Sequence, residues 1–176
     1  DKATALECIT AAHEADLTNY EALKLRVELL EKMGKGDEIR QVVEASRSAL
    51  SSNGEYLEIL AKVQSDAGDG ASFLRTARNL YARDPKRPGA LEAVVAAEIE
   101  YGVPDNAYNI LKKLSKKQMV AEAFIPAWEE IVRSRLSTGR LKDAEAVLRS
   151  LGGAADNDPR LAALWCDVLH RQGRGS

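Results

Sequence analysis

Five glycines, Gly34, Gly68, Gly102, Gly139 and Gly173, follow one another at steps of 34, 34, 37 and 34 residues. Glycine tolerates left-handed φ without a Cβ penalty, so it is the usual residue just past the last turn of a helix. A helix end that returns at this period predicts a chain built from repeated helical units, none of which can bury its apolar face alone.

The residues between the glycines carry the same message. In YLEILAKVQSDAGDGASFLRTARNLYARDP, Leu57, Leu60, Ala61 and Gln64 fall on one helix face before Gly68, and Phe73, Ala77, Leu80 and Tyr81 continue at the same spacing after it. Asp84-Pro85 then stops the second helix, because the residue before proline disfavours the α region. Leu91, Val94 and Val95 precede Gly102, with Ala107, Leu111 and Leu114 behind it. Trp128, Ile131 and Val132 precede Gly139, with Ala144, Leu148 and Leu151 behind it. Each unit is therefore expected to be an antiparallel helical hairpin, and successive hairpins to stack around a shared core.

Composition agrees and narrows the function classes. The chain has 176 residues, apolar content dominated by Ala, Leu and Val, and five prolines, the palette of a helical protein. Lys+Arg (25) and Asp+Glu (27) nearly cancel, which argues against a dedicated nucleic-acid or membrane-surface binder. No run is long enough for a membrane span, and no charged-then-apolar leader opens the chain. Asp1 stands where an initiating Met would, so a piece of a longer array is expected; Ala5, Ile9 and Ala12 read as the second helix of one unit, Leu161 to Gln172 as the first helix of another. The compartment is left open, with a soluble intracellular chain expected.

Catalytic groups are sparse. His13 and His170 lie at opposite ends, and adjacent carboxylates such as Glu129 and Glu130 point about 100° apart on a helix, so they form no acid/base pair. Cys166 and His170 share a helix face but have no further ligand near them, and Cys8 and Cys166 sit in apolar patterns that read as small buried side chains too far apart to bond. No enzyme, metal or cofactor is expected.

The 34-residue step, Trp128 near the start of a first helix, the turn TGRLKDA and RDP at Arg83 to Pro85 together resemble the tetratricopeptide repeat (TPR) family. The resemblance implies an all-α, right-handed superhelix of hairpins: a half repeat at 3–16, repeats at about 19–52, 54–86, 88–119 and 124–156, and a lone first helix at 160–173. Two departures are expected to alter packing locally, a lengthened turn in MGKGDE and three extra residues near SKKQMVAEAF. The resemblance also implies a non-enzymatic scaffold whose first helices line a concave groove. Residues there would be Glu21, Lys24, Glu28, Glu55, Glu58, Lys62, Glu92, Ala96, Glu129, Arg133, Asp167 and His170. Their carboxylates would repel the C-terminal carboxylate of a chaperone tail and favour a basic protein or peptide. A helical-repeat RNA binder of pentatricopeptide type is the alternative, disfavoured by the acidic groove. Lys112, Lys113, Lys116 and Lys117 form a separate basic cluster, expected near a helix C-terminus, that could contact an anion. Exposed array ends could also let copies pair.

Overall fold

The computed structural model describes residues 1–174, and all regular structure among them is helical. The chain divides into two compact units, Asp1–Ala90 and Leu91 onward.

The first unit contains α1 (Lys2–Ala15), α2 (Tyr20–Lys32), α3 (Gly36–Ala45), the short α4 (Arg47–Leu50), α5 (Gly54–Asp66) and α6 (Gly70–Arg83). Side-chain caps start four of these helices: Asp1, Asn19, Asn53 and Asp69 accept from the backbone amides of Ala3, Ala22, Tyr56 and Ser72. Leu23, Leu30, Val43, Tyr56, Leu60 and Leu80 are at the centre of the core. The Tyr56 hydroxyl donates to the Val43 carbonyl (2.9 Å), and burial pushes that phenol up to about 12.

The helix α7 (Pro88–Glu100) leads into the second unit, which holds α8 (Pro104–Leu111), α9 (Lys116–Met119), a 3-10 turn (Glu122–Phe124), α10 (Ile125–Ser137), α11 (Leu141–Leu151), α12 (Gly153–Asn157) and α13 (Pro159–Arg171). Here α10 packs on α8, α11 and α13. Trp128, Ile131, Val132, Ala144, Leu148 and Leu161 are buried at the contacts. Ala144 has no exposed surface, so Ala144→Leu is expected to overpack the α10–α11 hairpin and cost about 1–3 kcal/mol by urea denaturation; unchanged stability would contradict the tight contact.

Four of the five periodic glycines, Gly34, Gly68, Gly139 and Gly173, have φ between 69° and 73°. At each, the following amide reaches back to the carbonyl five residues earlier, as Lys35 does to Leu30 (3.0 Å) and Arg140 to Arg135 (2.8 Å), the Schellman closure. Gly102 is the exception, with no positive φ. There the Val103 amide donates to the side-chain carboxylate of Glu98 (3.3 Å), which also accepts from Asn106 Nδ2 (3.1 Å). A Cβ on Gly102 would collide with that carboxylate and stand 3.0 Å from the Glu98 Cα. Glycine serves close approach at this turn and backbone handedness at the others.

Several sequence expectations need correction. The turn in MGKGDE is not lengthened: residues 33–35 separate α2 from α3, just as residues 67–69 separate α5 from α6. In α1 the inward residues are Leu6 and His13; Ala5 and Ala12 are exposed and Ile9 is half-buried. Cys8 and Cys166 are both exposed rather than buried. Val132, one step before Cys166, is covered because α10 has helices on several sides, whereas no described element follows α13 to cover Cys166. Lys112 and Lys113 follow the C-terminus of α8, and Lys116 and Lys117 lie in the single turn of α9.

His13, the one buried residue of α1, fastens that helix to its neighbours. The Arg26 guanidinium (3.2 Å) can only donate to Nδ1, so the ring is neutral, its Nε2–H donates to Ser46 Oγ (3.0 Å), and the Ser46 hydroxyl donates to the Val42 carbonyl (3.0 Å). Burial, reinforced by the Arg26 charge, holds the imidazole below its ordinary value of 6.5. The unfolded chain therefore binds the extra proton first, and stability should fall as pH drops below 6.5 toward the depressed folded value. Urea midpoints at about pH 7.5 and about pH 5.5 test this, and His13→Asn should flatten the difference.

Candidate interaction surface

Each unit carries a cleft on its first helices. In the first unit, α2, the start of α3 and α5 enclose about 520 Å³. Tyr20, Val27, Ile39, Ile59 and Val63 supply apolar wall; the charges are mixed, with Glu28, Glu31, Asp37 and Asp66 facing Lys24, Arg40 and Lys62. Lys62 Nζ bonds Glu31 Oε1 at 2.8 Å, and that hydrogen bond raises the ammonium's pKa.

In the second unit, a cleft of about 550 Å³ lies between α7 and the segment from the 3-10 turn into α10. Its walls are Val95, Ala96 and Ile99 on one side and Ala123, Phe124, Pro126 and Ala127 on the other. Among the described residues, its charged lining is Glu92, Glu100 and Glu130.

The structure distributes the nominated residues unevenly. Lys24, Glu28 and Lys62 line the first cleft, Glu92 and Ala96 the second. Glu21 and Glu55 are exposed in the first turns of α2 and α5, outside the cleft. Glu58 is held by Arg87 (3.5 Å), Glu129 by Arg133 (2.8 Å) and Asp167 by Arg171 (2.8 Å), while His170 is exposed near the end of α13. On α10 the cleft takes Glu130, one residue along from the nominated Glu129. Lys112, Lys113, Lys116 and Lys117 are exposed, with Lys112 Nζ 5.1 Å from the Tyr108 ring centre.

Sequence reasoning missed Glu31, Asp37, Arg40 and Asp66 in the first cleft and Glu100 and Glu130 in the second. The signal was partly available: Glu31 is three residues from Glu28, and Asp66 four from Lys62, on the same helix faces. Among the described residues no group of three or more His, Cys, Asp or Glu is placed to hold a metal, and no helix is long and apolar enough to cross a membrane.

No protein-family model and no curated protein matches this chain. Solved structures do. A tetratricopeptide repeat protein from Parabacteroides merdae superposes with a TM-score of 0.65 at 19% identity, over 99% of this chain and 68% of that one. PilW, a widely conserved type IV pilus biogenesis factor, superposes with a TM-score of 0.56 at 18% identity, over 99% of this chain and 80% of that one. The fold is an all-α helical-repeat fold of the tetratricopeptide type.

Proposed function

We propose that this helical-repeat chain is a non-enzymatic interaction scaffold that holds a peptide or protein of basic character on its first-helix surfaces. One observation carries the reading: both units present, on first helices, a cleft with apolar walls and a charged rim. Such a cleft suits the side chains of another chain, gaining affinity from apolar burial and orientation from charge. The carboxylates of the second cleft support a cationic partner over a carboxylate-terminated tail.

The test is affinity capture at about 50 mM and about 300 mM salt, comparing the unaltered chain with Glu28→Lys/Glu92→Lys/Glu130→Lys. A basic protein retained at low salt by the former and lost by the latter is expected. Nucleic acid retained as well or better by the reversed variant would replace this reading with an RNA-binding one.

A further inference from the structure

The two clefts differ in a way that selects between occupants. The first balances four carboxylates with three cations, and its Lys62 is already committed to Glu31. The second sets three carboxylates around seven apolar residues, with no lysine, arginine or histidine among the described residues that line it. Glu100 is engaged by the Tyr101 hydroxyl beside it, but none of the ion pairs among the described residues uses Glu92 or Glu130. Those two carboxylates stand on opposite walls, Glu92 on α7 and Glu130 on α10, and both are exposed.

Both principal walls are helical and present side chains to the cleft, so it offers no strand edge on which an extended segment could pair. An extended segment lying in it would leave its amides against Val95, Ile99 and Phe124 without partners, a loss for every buried group. A helix satisfies its own backbone and brings only side chains to the walls. Its apolar stripe at i, i+3, i+4 and i+7 meets the walls, and cations flanking the stripe reach a carboxylate on either side. The volume falls within the roughly 300–1,000 Å³ of small-molecule clefts, room enough for two or three side chains of such a stripe.

We infer that the cleft between α7 and α10 is a docking site for an amphipathic helical segment with an apolar stripe flanked by lysine or arginine. This rests on the scaffold reading and assigns it a place and a partner geometry.

The probe is a synthetic helical peptide of about 16 residues with leucines at i, i+3, i+4 and i+7 and lysines flanking them, followed by fluorescence anisotropy on the whole chain. Controls are a scramble of the same composition and a copy with glutamates in place of lysines. Variants are Glu92→Lys/Glu130→Lys and, because Ala96 is exposed on the wall, Ala96→Trp to fill the cleft, with circular dichroism checking that each remains folded. The expected result is binding of the lysine helix alone, weakened about tenfold or more by charge reversal and also by Ala96→Trp. Binding that survives Ala96→Trp but is lost with Glu28→Lys and Ala67→Trp in the first cleft would overturn the assignment and leave the scaffold reading standing. Equal binding of scrambled and amphipathic peptides would overturn the helical geometry. Failure of the lysine helix to bind overturns the inference, and if capture also yields no basic protein the scaffold reading falls with it.

Discussion

Trp128→Ala is expected to destabilise the second unit by about 3–5 kcal/mol, the cost of emptying a large aromatic site in a packed interior. Trp128 has no exposed surface, its ring meets Tyr108 edge-on at 6.3 Å, and its Nε1–H donates to the Met119 carbonyl at 2.7 Å. That hydrogen bond has a structural meaning of its own. The step from Gly102 to Gly139 is the long one, and its surplus is absorbed by α9 and the 3-10 turn, which Trp128 ties to α10 through Met119. Trp128→Phe keeps most of the ring contact and leaves the carbonyl unpaired, a loss of about 1–3 kcal/mol. Trp165, the other tryptophan, remains as a fluorescence reporter in both variants. Urea midpoints that failed to rank unaltered chain, Phe and Ala in that order would refute the role given to the indole.

The repeat was legible because it depends on local rules. A glycine past a helix end, a stripe at helical spacing and a proline after the second helix each leave a mark in sequence, and the buried residues Leu57, Leu60, Ala61, Phe73, Ala77, Ala144 and Leu148 follow that stripe. Gly102 shows where the rule stops: a carboxylate one turn back does what a carbonyl does elsewhere, and nothing in the spacing announces the exchange. Cys166 marks another limit. Its register matches Val132, yet burial depends on how many helices surround a position, which periodicity does not encode.

The cleft residues were less legible for a geometric reason. Adjacent residues on a helix diverge by about 100°, so the stripe tells which side faces the core but leaves either of two flanking positions to face a neighbouring first helix. On α10 the cleft takes Glu130, and Glu129 lies half-buried against Arg133. Charge was harder still to read, because Glu58 appeared as an exposed carboxylate and is paired with Arg87, 29 positions away in the chain. The acidic character expected of the whole first-helix surface is therefore concentrated in the second cleft.

Asp105→Ala is the second large effect, and it concerns a charge that the apolar pattern hides. Arg135 occupies a buried position of α10, its side chain only 7% exposed, where the stripe calls for an apolar residue. It is tolerated because Asp105 Oδ1 accepts from its Nε (3.4 Å) and Nη2 (3.3 Å), the Asp143 carbonyl accepts from Nη1 (3.1 Å), and the Tyr108 ring lies 4.0 Å beneath the guanidinium. Removing the carboxylate strands that cation, which costs about 3–5 kcal/mol for a fully buried pair; because the Asp105 side chain is itself 38% exposed and the carbonyl and the ring remain, the loss here is expected to fall below that range, at about 1–3 kcal/mol. Arg135→Met in the same chain should restore much of the loss, because it removes the stranded charge and keeps the volume. The pH dependence supplies an independent check. Arg140, then Arg135, hold the Asp105 carboxyl below its ordinary value of 3.8. A depressed folded value means stability that is present above 3.8 and lost as pH falls through the folded value, when the carboxylate takes up its proton. The gap between the unaltered chain and Asp105→Ala should therefore narrow as the solution is acidified below that point. A gap that stayed constant through acid would show that Asp105 contributes through its shape and its place in the first turn of α8, and that Arg135 is held by the carbonyl and the ring alone.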